Sequence, residues 1–102
     1  MSPHVAIEYD KLVDLCRRWQ VAELALFGSV LRDDFDPERS DVDILVQFLP
    51  EARIGLFALS RMKDELSEIF GRKVDLVPKG GLKPAIRDDV VKNAQVVYVN
   101  AA

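Results

Sequence analysis

Cysteine and histidine each occur once, as Cys16 and His4. A lone cysteine excludes an internal disulfide. One thiol with one imidazole cannot build a Cys/His zinc centre within a single chain. Excess positive charge is missing too: 14 Lys and Arg stand against 17 Asp and Glu, a net charge of −3. Bulk attachment to nucleic acid needs many unopposed cations, so no direct nucleic-acid binding is expected. A single nucleotide, whose charge a bound cation can balance, stays open. No apolar run approaches the ~20 residues that cross a membrane. The stretch from Ser2 to Asp10 has no basic region followed by an apolar one, so no signal peptide is read. The expectation is a protein with no membrane partner, located in the cytoplasm.

What is present describes a small globular protein. With 49% hydrophobic and 30% charged residues, the 102-residue chain is too apolar and too varied for disorder. A chain of this length suits one domain, residues 1–102, burying roughly 60–70% of its unfolded surface. Tyr9 to Trp19 reads as an amphipathic helix, with Leu12, Leu15, Cys16 and Trp19 at the i, i+3, i+4, i+7 spacing. That stripe makes Cys16 a core residue, and Trp19 a core or partner-facing aromatic. Nothing is assigned to His4. Ala22–Phe27 reads as a strand and Gly28-Ser29 as a turn. Residues 30–40 form a polar loop broken by Asp36-Pro37, with room for one helical turn at its start. Asp41–Phe48 is a second strand, ended by Pro50.

Gly55–Phe70 is the longest predicted helix. Leu56, Leu59, Met62, Leu66 and Ile69 form its apolar stripe, joined by Phe70, and Gly71 is its C-cap. Lys73–Val77 is a third strand stopped by Pro78. Gly80-Gly81 gives a flexible turn. Pro84–Asn93 is a short helix with proline in its first turn, and Gln95–Val99 a last strand. This order predicts an α+β fold: a small mixed sheet with helices packed on it. Which strand pairs are parallel stays open.

The chemistry concentrates between residues 28 and 43. An apolar strand ends in Gly28-Ser29, and eleven residues later Asp41-Val42-Asp43 opens the next. Side chains alternate along a strand, so Asp41 and Asp43 point the same way. Two adjacent carboxylates repel, and taking both out of water with no cation costs roughly several kcal/mol. Oxygen-only ligands suit Mg²⁺ bound together with a phosphate. The Gly-Ser turn can offer backbone N–H groups and a hydroxyl to phosphate oxygens. A phosphate cradle followed by a metal-binding pair outlines a phosphoryl- or nucleotidyl-transfer site. Arg32 and Arg39 read equally as solvated loop charges or phosphate contacts. Ser40 is read first as capping the turn before Asp41, with phosphate contact as the other reading.

These residues resemble the nucleotidyltransferase superfamily that includes DNA polymerase beta and the kanamycin nucleotidyltransferases. Phe27-Gly28-Ser29, eleven residues, then Asp41-Val42-Asp43-Ile44 is similar to its signature. Val74-Asp75-Leu76 is similar to its third carboxylate, alone in a later strand. The nearer resemblance is to the minimal nucleotidyltransferases, the MntA-type antitoxins. It covers nearly the whole chain, including Gly71–Val77 and the tail from Gly81-Leu82-Lys83-Pro84 to Val97-Tyr98. One departure is Arg32-Asp33, where many relatives have Arg-Gly; a loop that needs positive φ there takes another path.

The resemblance implies an ATP-using protein adenylyltransferase. Asp41, Asp43 and Asp75 are then both the catalytic residues and the ligands of Mg²⁺ or Mn²⁺. Gly28, Ser29, Arg32 and Ser40 contact the nucleotide phosphates. The implied partner is a HEPN-type ribonuclease toxin, held in a hetero-oligomer and silenced by AMP on a tyrosine. Two alternatives stand beside this: an antitoxin acting by contact alone, and a nucleotidyltransferase acting on a small molecule or an RNA end.

Overall fold

The computed structural model describes residues 7–28, 41–82 and 84–100. The first helix, α1, spans Tyr9–Arg18 and buries Leu12, Leu15 and Cys16 completely. Asp10 in its first turn and Arg17 and Arg18 in its last complement the helix dipole. Gln20 then takes a positive φ of 56° and turns the chain into β1, Val21–Phe27. This strand begins one residue before the expected Ala22. The backbone carbonyl of Gln20 accepts the Leu49 N–H at 2.9 Å and ties the two turns at this end of the sheet together.

β2 spans Val42–Phe48 and β3 Val74–Pro78. Between them α2 covers Leu56–Phe70, with Gly55 as its N-cap and Gly71 at φ 69° as its C-cap. Gly71 is needed there because the chain leaves the helix in the left-handed region. α3 covers Pro84–Asn93 and β4 covers Gln95–Val99. The sheet order is β3-β2-β1-β4. β1 lies antiparallel to both β2 and β4, whereas β2 and β3 are parallel. A parallel pair needs a crossover, and α2 provides it.

The sheet is covered on both faces. Leu24, Leu26, Val42, Ile44, Val46, Val74 and Leu76 meet the apolar stripes of α1 and α2 in the main core. Met62 and Leu66 are fully buried there; each such side chain contributes about 1.5–3 kcal/mol of burial. On the second face Ala25 and Leu45 pack with Leu82, and Phe27, Val77, Val90 and Ala94 lie against them. α3 therefore shares a face with the odd-numbered residues of β2 and β3.

Three local expectations need correcting. Leu56 is 84% exposed and stands beside Phe57 at 90%, so it does not belong to the buried stripe of α2. The helix starts there, one turn before its axis reaches the core. Pro78 closes β3 from inside the strand, level with Val46; β3 is an edge strand, where a missing N–H is tolerated. Gly80 and Gly81 sit in a 3-10 turn, Lys79–Gly81, in place of a flexible turn. Among the described residues no helix is long and apolar enough to cross a membrane.

Candidate active site

The three aspartates come together at one end of the sheet. Asp43 lies in β2 between the buried Val42 and Ile44, so alternation turns it to the face opposite α1 and α2. Asp75 lies in β3 between Val74 and Leu76 and shares that face. The parallel register makes Asp43 and Asp75 Cα partners, and neighbouring strands run about 4.8 Å apart. Asp41 sits just before β2, half-buried, and Asp75 is exposed.

Gly28 closes the site from the β1 side. Phe27 is the antiparallel partner of Asp43, so Gly28 leaves β1 right beside that carboxylate. Its φ is +74°. A β-carbon placed on Gly28 would run into Asp43 Oδ2 and lie 3.2 Å from Asp43 Cγ. Two independent constraints therefore require glycine here: the left-handed backbone and the pressing carboxylate.

β3 is held in place by its approach. The Ser67 hydroxyl donates to the Lys63 carbonyl at 2.9 Å and accepts the Val74 N–H at 3.2 Å. The Val42 N–H donates to the Lys73 carbonyl at 3.0 Å. Together these bonds set the level of Asp75 against Asp43. Lys73 Nζ stands 3.9 Å from Asp41 Oδ2. Sequence reasoning passed over Ser67 and Lys73; the available signal was Lys73 two residues before Asp75, hence on the same side.

Ser29, Arg32, Arg39 and Ser40 lie outside the described residues, as does His4. Cys16 is fully buried, and burial pushes its thiol up to about 12; it is a core residue. Trp19 packs against the main core, half-buried.

Among the described residues no group of three or more His, Cys, Asp or Glu side chains is gathered tightly enough to hold a metal ion. Mg²⁺ ordinarily takes one or two carboxylates plus substrate phosphates and not a full protein cage. The donors here are oxygen only and lie at the mouth of a strand pair, so they fit such an ion. A separate cleft of about 420 Å³ lies between α1 and α2. It is lined by Asp10, Asp14, Arg18 and Glu65 and belongs to the helix layer, away from the aspartates. Arg18 binds Glu65 at 2.8 Å and Asp14 at 3.0 Å across it; those bonds, Glu65 first, raise the guanidinium pKa. We assign that cleft to helix–helix pairing.

The chain is similar to proteins of known class. Residues 11–97 match the family model described as a nucleotidyltransferase domain. The protein adenylyltransferase MntA of Thermococcus cleftensis is 40% identical over 86 residues, covering 84% of this chain and 82% of that protein. A crystal structure of a toxin-antitoxin with AMP-PNP superposes with a TM-score of 0.72 at 21% identity, covering 93% of this chain and 76% of that one. The tri-AMPylated Shewanella oneidensis HEPN toxin in complex with MNT antitoxin gives 0.64 at 21% identity, covering 90% and 70%. These two likenesses carry the fold. The signature residues, the mixed sheet that gathers them and the match over most of the chain agree: the protein belongs to the nucleotidyltransferase domain family.

Proposed function

We propose that the protein is a metal-dependent antitoxin that transfers AMP from ATP to a tyrosine of a cognate HEPN-type ribonuclease toxin. The observation that carries the reading is the Asp43–Asp75 register pair with Gly28 pressed against Asp43. That arrangement leaves an acidic, oxygen-only site beside Gly28. The relative named protein adenylyltransferase MntA supports the reaction class. The AMP-PNP and AMPylated-toxin complexes among the structural neighbours support the nucleotide and the partner.

Asp41, Asp43 and Asp75 would hold Mg²⁺ or Mn²⁺, which when bound supplies positive charge to the triphosphate and to the acceptor oxygen. Gly28 brings its backbone close to the outer phosphates because it has no side chain to hold them off. Ser29 adds its hydroxyl, and Arg32 and Ser40 add further polar contacts. Asp75 is the outermost of the three carboxylates, so the acceptor hydroxyl arrives at its side and gives up its proton there. The tyrosine oxygen bonds to the α-phosphorus as the bond to pyrophosphate breaks, an in-line displacement. Asp75 is exposed, so a partner can present its own tyrosine there. Binding before chemistry raises the effective concentration of that hydroxyl.

The test is intact-mass spectrometry of a HEPN-type toxin incubated with this protein, ATP and Mg²⁺. A mass gain of one or more AMP units on tyrosine is expected. It should disappear in excess chelator and return with Mg²⁺ or Mn²⁺. Neutralisation with no mass change, equally good with Asp43→Ala, would instead establish an antitoxin that works by contact.

A further inference from the structure

We propose that Lys73 is a phosphate-binding residue of this site: its ammonium screens Asp41 in the free protein and pairs with the triphosphate when nucleotide is bound. The inference rests on the nucleotidyltransfer reading and adds a residue that the signature motif does not contain.

The geometry has two parts, a fixed base and a free tip. The backbone at Lys73 is pinned by the Val42 N–H on its carbonyl, and the next residue is pinned by the Ser67 hydroxyl. Val42 pairs with Val74 and Asp43 with Asp75. Continued back one residue, that register sets Lys73 against Asp41. The result is a two-by-two patch, with Asp41 and Asp43 at the start of β2 and Lys73 and Asp75 at the start of β3. The tip is different. The Lys73 side chain is 73% exposed and its ammonium stands 3.9 Å from Asp41 Oδ2. An exposed pair this loose is screened by salt and is not a stability device.

Its chemistry fits a transfer of partner. Asp41 is one of the carboxylates assigned to the nucleotide metal, and a lysine occupying one of its oxygens is a weak stand-in cation. When Asp41 turns to the metal-bound nucleotide, the ammonium is released beside the phosphates. A compact charge on a flexible four-carbon stem can follow them without moving its backbone. Arg72, its neighbour, is half-buried with its Nε inside the fold, so Lys73 is the more exposed of the two cations.

Calorimetric titration of the full chain tests this with MgATP, magnesium pyrophosphate, AMP, and Mn²⁺ alone. Lys73→Met keeps the stem and removes the charge; Lys73→Arg keeps the charge. Lys73→Met should weaken MgATP and pyrophosphate about 3- to 10-fold. It should leave AMP within about twofold and Mn²⁺ no weaker than in the wild type, because no phosphate pairing or metal ligand is lost there. Lys73→Arg should recover most of the triphosphate affinity. Melting curves check that both variants are folded, and Lys73→Gln replaces the Met variant if that one aggregates. Equal MgATP affinity in wild type and Lys73→Met overturns the role of Lys73 alone. So does an equal loss for AMP and ATP. A wild-type protein that takes no MgATP overturns this role together with the nucleotidyltransfer reading.

Discussion

A carboxylate oxygen of Asp43 occupies the space that a β-carbon on Gly28 would fill. The two residues are fifteen positions apart in sequence, and the β1–β2 register brings them into contact. Gly28→Ala must therefore bear a left-handed backbone and an overlap at once. The expected loss of stability is about 1–3 kcal/mol. Part of that loss is steric, so Gly28→Ala should cost less in an Asp43→Ala background. A double-mutant cycle from thermal or urea melts measures the coupling. Strict additivity would mean that the contact carries no weight.

Asp43→Ala should abolish transfer and leave the fold in place. The side chain is half-buried and lies beside Asp75, so its removal relieves like-charge repulsion. Stability should stay within about 1 kcal/mol of the wild type. The paired measurements are a melting curve and toxin mass. Transfer at the wild-type rate would end the assignment of Asp43 as a metal ligand.

Asp75→Asn should separate binding from chemistry. Asp41 and Asp43 remain to hold the nucleotide, while the hydroxyl loses the group that takes its proton. Nucleotide affinity should stay within about threefold while the single-turnover rate falls at least about 100-fold. Weak nucleotide binding with an unchanged rate would reverse the roles given to the carboxylates.

Cys16 predicts how stability changes at alkaline pH. Burial raises its thiol from the ordinary 9.0 to about 12 in the folded protein. Above pH 9 the unfolded chain loses this proton first, so it binds fewer protons than the native state and stability falls as pH rises. The contribution is fully present below pH 9 and is lost up to about pH 12, with a slope of up to about 1.4 kcal/mol per pH unit. Urea melts of wild type and Cys16→Ala across pH 7–11 isolate it. The stability difference should shrink with rising pH; a constant difference would show that the thiol is not desolvated.

Much of this protein was legible in the chain. Leu12, Leu15 and Cys16 announced α1 through their spacing, and alternation around Val42 and Ile44 announced β2, because a helix and a strand each write their period into local sequence. Gly71 marked the end of α2 for the same local reason: a helix that ends in the left-handed region favours glycine. Asp41 and Asp43 were visible as a pair because they stand two residues apart where β2 begins. The position of Asp75 beside Asp43 was not a local matter. It depends on β2 and β3 being parallel, on the crossover through α2 and on the Ser67 clamp at Val74, none of which leaves a mark at residue 75 itself. Leu56 shows the same limit from the other side. Its spacing matched the buried stripe, yet the helix axis carries it past the sheet into solvent. Periodicity gives the direction of a side chain within its own element. Whether anything waits there depends on where the other elements pack, and that is settled by contacts between residues far apart in the chain.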